Sequence, residues 1–465
     1  MSKTIQINEI AILNKETYKK SEIPKTLYYL DTGSLTKNKI ESLQEFNTSK
    51  DKVPSRAQRK VQINTILYST VRPNQEHYGI IENEIEDVAV STGFTTIDVD
   101  NENVYPKYLY YMLTQNHLTE YLHSIAQNSV SSYPSISSND LGSLTFDIPE
   151  IEIQKQIAKV LSNIDAKIEV NNKINQELEA MVKTLYDYWF VQFDFPDANG
   201  KPYKSSGGKM VFNEELKREI PEGWEVDALS TWIKNDKSGD WGKAEEQGNY
   251  INKVSCIRGA DLNGLNGKGV VKSPTRFVLE KNSHKLLEIG DFIIEISGGS
   301  PTQSTGRMAF ITKETLERFE NPLICSNFCK AVTLKDEKAL YNFAYLWNRL
   351  YDADVLFGWE GKTSGIKNLL FESFVTNYQV ANPDSIIMEQ FYNKAKPIHS
   401  QIQTNLKQNQ KLSELRDWLL PMLMNGQVRV AHSHTEGNLA KVKQSYKVNT
   451  KTDLGRVAEE GETYN

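Results

Sequence analysis

Two stretches of this chain repeat apolar residues at spacings of three, four or their sums. In the first they fall at Ile157, Val160, Ile164, Ile168, Ile174, Leu178, Met181 and Leu185. In the second they fall at Phe391, Ala395, Ile398, Ile402, Leu412, Leu415 and Leu419. Such spacing puts one apolar stripe on a helix, which predicts helices over 150–190 and 384–425. Asp384 or Ser385 is placed to cap the second just after Pro383, and Pro397 is placed to kink it. At 1.5 Å per residue, about 35–40 helical residues reach roughly 50–60 Å. That exceeds the width of a domain of this size. The economical arrangement packs the two helices on each other, antiparallel, as a spacer. Its seam is read as Ile157, Ile164, Asn171, Leu178 and Leu185 against Ile398, Ile402, Asn405, Leu412 and Leu419.

Asn171 and Asn405 interrupt the stripes inside nearly the same phrase, NNKINQELEAM and NLKQNQKLSEL. A polar residue in a helical seam fixes register at some cost in stability. Amides paired across a pseudo-two-fold would do this; asparagines facing solvent at a stripe edge would not. The repetition extends beyond the helices. INTILYST (63–70) matches IGDFIIEIS (289–297), STGFTTIDV (91–99) matches CSNFCKAVTL (325–334), and YLYYMLTQ matches FAYLWNRL. Polar loops follow in step: VRPNQEHYG and GGSPTQSTGR, then NSVSSYPSIS and GWEGKTSGIK. Each half closes with a short strand, a proline (Pro149, Pro383) and a long helix. The offset is 226 residues early and 234 later, so an insertion of about eight separates the copies. Solenoid units run about 20–50 residues, so this repeat is a duplicated domain. The fold class is therefore α+β, two duplicated globular domains separated by two long antiparallel helices. The boundaries are 1–149 for the first domain, 150–190 for the central helix and 191–219 for a linker. The second domain follows at 220–383, the distal helix at 384–425 and a polar tail at 426–465.

A length of 465 residues suits two or more domains, each with its own core. No run of eighteen apolar residues occurs, so no membrane span is expected. The opening MSKTIQINEI lacks the basic-then-apolar order of a secretion signal. Cys256, Cys325 and Cys329 make no disulfide framework, which fits a reducing cytoplasm. CSNFC finds no His or Cys cluster to complete a tetrahedral set, so no metal is expected. The net charge of −6 argues weakly against nucleic acid. Local charge says more. Lys50–Arg72 holds six basic residues against one acidic, and Lys253–Lys285 seven against two. Most such runs are solvated faces, but two in corresponding places point toward phosphate.

No catalytic constellation is visible. FGWEGKTSG has Leu356 where a phosphate loop needs its first glycine, and no G-x-G-x-x-G follows a strand. No N/D-P-P-Y/F tetrapeptide is present. GDFIIEIS offers Asp291 and Glu295 without the lysine a nuclease core needs. The seven histidines make no helical H-x-x-x-H, and there is no G-x-S-x-G. The chain reads as a binding scaffold without chemistry of its own.

The segment IPEIEIQKQIAKVLSNIDAKIEVNNKINQELEAMVKTLYDYWFVQFDFP (148–196) resembles the central region of the specificity subunits of type I restriction–modification systems. IIMEQFYNKAKPIHSQIQTNLKQNQKLSELRDWLLPMLMNGQV resembles that family's distal helical region, and IPEGWEV (220–226) the opening of its second recognition domain. The resemblance covers essentially residues 1–430. It implies that each globular half is a target recognition domain reading one part of a bipartite site in double-stranded DNA. It implies that the coiled-coil spacer docks two modification subunits, which carry S-adenosylmethionine and methylate adenine N6. Two restriction subunits would add ATP- and Mg-dependent translocation and cleavage, in a prokaryotic cytoplasm. No cofactor is expected in this chain, and the tail 431–465 has no family role to assign.

Reading bases takes side chains in the major groove, while basic residues hold phosphates and set register. In the first half the candidates are Arg56, Arg59 and Lys60, then Arg72 and Asn74, then Ser131, Ser132 and Tyr133. In the second they are Lys272 and Arg276, then Ser300, Thr302, Gln303 and Arg307, then Trp359, Lys362 and Ser364. Any one of them is equally an ordinary exposed loop residue; the loops are a firmer expectation than their members. Two other readings fit the same residues: a subunit of a methylation-only complex, and a coiled-coil adaptor whose halves bind protein. Steep salt dependence of DNA binding separates the adaptor from the rest.

Overall fold

The computed structural model describes residues 3–430 except 20, 130–132, 299–301 and 364–365; of 362 and 363 it describes the backbone alone. Four helices organise it: α1 (Pro106–Leu113), α2 (Ile151–Tyr186), α3 (Leu340–Asp352) and α4 (Ser385–Met424).

The two halves are built on one topology. In the first, an antiparallel sheet runs in the order Ala11–Leu13, Phe94–Val99, Ile66–Ser69, Tyr78–Ile80. In the second the order is Ile233–Ser238, Cys329–Leu334, Asp291–Glu295, Met308–Phe310. Ile66–Ser69 and Asp291–Glu295 are buried at every position, as interior strands covered on both faces must be. A second sheet in each half holds one parallel pair, Thr26–Leu30 with Val88–Ser91 and Tyr250–Ile257 with Leu323–Cys325. The first and last strands of each half then pair antiparallel, Lys3–Gln6 with Thr145–Ile148 and Glu225–Ala228 with Gln379–Asn382. Each half is closed on itself before its long helix leaves.

One expected correspondence fails. Ala57–Arg59, in the first basic stretch, is a strand beside Val88–Ser91. Among the described residues the second half has no strand beyond Leu323–Cys325. Its basic stretch instead supplies Tyr250–Ile257 and Thr275–Leu279, which occupy the places of Thr26–Leu30 and Gln44–Asn47. The two basic runs are therefore not equivalent.

The segment 191–219, expected as a linker, is folded into the second half. Phe193, Phe195, Tyr203, Met210 and Leu216 pack into its main core with the end of α2 and the start of α4. Met210–Asn213 pairs with Arg218–Pro221.

α2 and α4 lie side by side, antiparallel, and bind both halves. Gln154, buried at the start of α2, donates to the carbonyls of Asn103 and Pro149 and accepts from the Tyr105 N–H. Near its far end α4 returns to the first half, where Arg416 meets Asp165 at 2.9 Å. Asp384 caps α4 by accepting from the Ile386 N–H at 2.7 Å, and the helix runs on through Pro397.

The seam differs from the apolar stripe. Ile157 and Ile402 are buried, and Ile164, Leu178, Leu185, Ile398, Leu412 and Leu419 are half-buried. Ile174 and Met181, however, are 41% and 55% exposed, and Leu415 is 44% exposed. Asparagines take the middle. Asn171 donates to Oδ1 of Asn409 at 2.8 Å, and Asn405 donates to Oδ1 of Asn175 at 2.8 Å. The two bonds exchange under a pseudo-two-fold, since 171 corresponds to 405 and 175 to 409. Asn171 and Asn405 thus pair with each other's neighbours and not with each other. Once these amides face inward to be satisfied, the helix phase turns Ile174 and Met181 outward.

Candidate nucleic-acid interface

In the first half a two-residue turn, Thr92–Gly93, joins Val88–Ser91 to Phe94–Val99. Its backbone holds neighbours on both sides. The Gly93 carbonyl accepts from the Thr70 N–H and hydroxyl, each at 2.9 Å. The Thr92 N–H donates to the Arg56 carbonyl, and Arg59 reaches the Thr92 carbonyl at 3.5 Å. A Cβ on Gly93 would press on Thr32 Cγ2 at 2.8 Å, so a larger residue there would displace the Thr32 side chain. Beyond Thr70, Arg72 takes a left-handed conformation (φ 48°), and its N–H donates to the Pro134 carbonyl at 2.9 Å. The Ile136 N–H closes the same ladder onto Thr70. Two loops about sixty residues apart in sequence are thereby laid side by side. Arg56, Arg59, Arg72, Asn74 and Tyr133 come to one edge.

Within that edge the candidates differ in exposure. Arg56, Arg72, Asn74 and Tyr133 are exposed. Arg59 is half-buried, its Nε has no partner, and burial lowers its pKa. Lys60 is occupied: it donates to Glu22 at 2.8 Å and lies 5.0 Å over the Tyr18 ring. Ser131 and Ser132 lie outside the described residues.

The second half repeats the device. Its turn is Asn327–Phe328, and the Phe328 carbonyl accepts from the N–H groups of Ile296 (2.9 Å) and Ser297 (3.1 Å). Ser297–Gly298 pairs with Ile366–Leu369, which pairs with Glu360–Thr363, so both polar loops meet here too. The Glu360 carboxylate ties them by accepting from the Thr305 N–H and hydroxyl and from Lys367. Thr302 and Gln303 are exposed on this loop. Arg307 is not free to read a base. It forms a two-pronged pair with the buried Glu295, at 2.8 and 2.7 Å, which raises its pKa. Trp359 turns inward, edge-on to Phe374 with centroids 5.4 Å apart. Ser300, Ser364 and the Lys362 side chain lie outside the described residues.

Lys272 and Arg276 sit on the far side of the turn. Lys272 is exposed, its backbone N–H held by Asp261. The Arg276 guanidinium lies 4.0 Å over the Trp241 ring, with its Nε unpartnered. The Gly239–Asp240 segment carries this platform to the turn, because the Asp240 N–H donates to the Cys325 carbonyl at 2.9 Å. Trp241 and Phe328 are aromatic, exposed and absent from the sequence candidates. A lone aromatic in a polar loop gives no periodic signal; only the fold shows what it stands beside.

Among the described residues no three His, Cys, Asp or Glu side chains group as a metal site. Cys256, Cys325 and Cys329 are free and buried, and burial pushes the Cys256 and Cys325 thiols up to about 12. No described helix is long and apolar enough to cross a membrane.

Residues 2–180 match the family model described as the type I restriction modification DNA specificity domain. Over most of its length the chain is similar to specificity subunits of type I restriction enzymes. It is 26% identical over 442 residues to the type I restriction enzyme HindI specificity subunit of Haemophilus influenzae, covering 86% of this chain and 94% of that one. It is 27% identical over 352 residues to the MjaIX specificity subunit of Methanocaldococcus jannaschii, covering 74% and 73%. Among solved structures, the type I S subunit of M. genitalium aligns over 91% of this chain and 96% of its own, with 16% identity and a TM-score of 0.48.

Proposed function

We propose that this chain is a specificity subunit of a type I restriction–modification system that reads a bipartite site in double-stranded DNA, one segment with each half, and itself performs no chemistry. A single observation supports it best: two edges of the same construction, each a clamped turn between two polar loops, carried by halves fixed to one antiparallel helix pair. The first half reads through Arg56, Arg59, Arg72, Asn74 and Tyr133. The second reads through Lys272, Arg276, Thr302 and Gln303.

The helices also serve partners. Met181 and Leu415 stand at the same 234-residue offset and are both exposed, and Trp418 lies one turn beyond Leu415. Equivalent apolar positions on equivalent helices suit two copies of one partner, the modification subunit. S-adenosylmethionine, ATP and Mg belong to the modification and restriction subunits, in a prokaryotic cytoplasm.

The test is to co-express the chain with its modification subunit and map methylated adenines. Two defined segments flanking an unspecified spacer of about five to eight base pairs are expected, a separation near one helical turn. A single contiguous target contradicts the bipartite reading. Binding without a steep salt slope favours the adaptor.

A further inference from the structure

We propose that Phe328 is a specificity-determining residue, which makes apolar contact with a thymine methyl group in the major groove. The proposal rests on the reading of the second half as a DNA-reading domain.

An exposed phenylalanine alone means little, since single apolar side chains are common on surfaces. The setting of this one is the argument. Phe328 is 54% exposed at the tip of its turn, yet the turn beneath it is rigid. Its carbonyl is held by Ile296 and Ser297, and the Cys329 N–H closes back on the Ser326 carbonyl at 2.9 Å. Ser326 is buried, and its hydroxyl lies 3.8 Å from the Cys329 sulfur. On the other side Gly239 is pressed so close that a Cβ there would collide with the carbonyl oxygens of Ser326 and Cys325. A clamped turn presents its side chain without the ordering cost of a flexible loop.

Position supplies the rest. In the first half the equivalent turn carries Gly93 and stands between Arg59 and the Arg72 loop, with the same carbonyl contact to Thr70 that Phe328 makes to Ile296. In the second half the turn stands between the Arg276–Trp241 platform and the loop bearing Thr302 and Gln303. The backbone is duplicated; the side chain is not. One half therefore meets DNA at this point with bare backbone, the other with an aromatic ring. Among base edges in the major groove, the thymine methyl is the one that an apolar side chain reads directly. No charged or hydrogen-bonding group of Phe328 competes with that role.

The experiment uses the full chain assembled with its modification subunit, and duplexes in which each thymine of the target in turn is replaced by deoxyuridine, which lacks the methyl. Wild type is expected to bind one such duplex about fourfold more weakly, the worth of one buried methyl group. Phe328→Ala should bind the thymine duplex about tenfold more weakly, with an unchanged melting temperature, and be indifferent to that deoxyuridine. Wild type indifferent to every replacement overturns the proposal, as does Phe328→Ala matching wild type or losing the same factor to deoxyuridine. A wild-type complex with no preference between target and unrelated DNA would instead overturn the reading of the protein as a DNA-reading subunit.

Discussion

The Tyr345 hydroxyl lies 3.1 Å from Nε2 of His399, where the other half sets the Tyr111 hydroxyl 2.6 Å from the Asp165 carboxylate. Both members of each pair are separated from their counterparts by 234 residues. The duplication thus kept a tyrosine of α1 or α3 bonded to the long helix and changed what it bonds. In the first half the contact is charged, because Arg416 of α4 also joins Asp165. In the second, Val182 holds the place of Arg416 and the contact is neutral. His399 is stacked on Tyr341 at 4.8 Å and edge-on to Phe310 at 5.1 Å, and burial lowers its pKa to about 4.

That burial sets a pH dependence. The folded-state pKa lies below the unfolded value of about 6.5, so the unfolded chain binds more protons between the two. His399 therefore contributes fully above pH 6.5, and its contribution falls as pH drops toward 4, by about 2 kcal/mol at pH 5. His399→Gln should be less stable than wild type at pH 7, and the gap should narrow at pH 5. Chemical denaturation at the two pH values measures it; a gap of constant width would mean that His399 does not titrate in this window.

On the charged side, Asp165→Asn leaves Arg416 with Asp417 as its remaining carboxylate and weakens the acceptor of Tyr111. The Asp165 side chain is 35% exposed, so solvent moderates the loss to about 1–2 kcal/mol. The end of α4 should detach first. Hydrogen exchange of amides near Arg416 should quicken more than that of amides near Phe391, which is anchored in the second core.

Arg72 and Arg307 should part company under mutation. Arg307→Ala strands the buried Glu295 carboxylate, at a cost of about 3–5 kcal/mol, and should lower the melting temperature whatever DNA is present. Arg72 is exposed, and Arg72→Ala should leave melting unchanged. If it meets a guanine edge, the substitution should cost about 1–3 kcal/mol on target DNA and relax one position. Equal losses on target and unrelated DNA would make Arg72 a phosphate contact.

The duplication was legible because it is a matter of spacing. Strand, loop and helix recur in order, and the sheets repeat that order except for Ala57–Arg59, which has no counterpart among the described residues of the second half. The seam was only partly legible. Apolar periodicity placed both helices but drew the stripe through Ile174 and Met181, since no hydrophobicity pattern credits an asparagine with an interior position. Asn171 stood out by being repeated; its partner Asn409 is set by the antiparallel register, which sequence alone does not give. For the candidate interface, the sequence showed polar loops recurring in step but not which of their members the fold leaves exposed. Lys60, Arg307 and Trp359 have the chemistry of DNA contacts, but each is committed to a neighbour in the fold. Phe328 and Trp241 have no motif at all.

The asparagine pairs also decide how the spacer can be lengthened. Four residues add about 6 Å to a helix. Placed in α2 alone, between Asp165 and Asn171, they would shift one helix against the other. Either the Asp165–Arg416 contact or the pairs Asn171–Asn409 and Asn175–Asn405 would break, leaving buried amides unsatisfied at about 1–3 kcal/mol each. That variant should assemble poorly. Matched insertions, four residues after Lys167 in α2 and four after Leu412 in α4, keep the asparagine register on one side and Arg416 opposite Asp165 on the other. The halves then move apart as bodies. The unspecified spacer of the DNA target should grow by one or two base pairs, while the bases read at either end stay the same because the loops are untouched. Mapping methylated sites for the single and matched insertions tests this. A matched insertion with an unchanged spacer, or with new bases at either end, would show that the distance between the reading edges is set elsewhere than in α2 and α4.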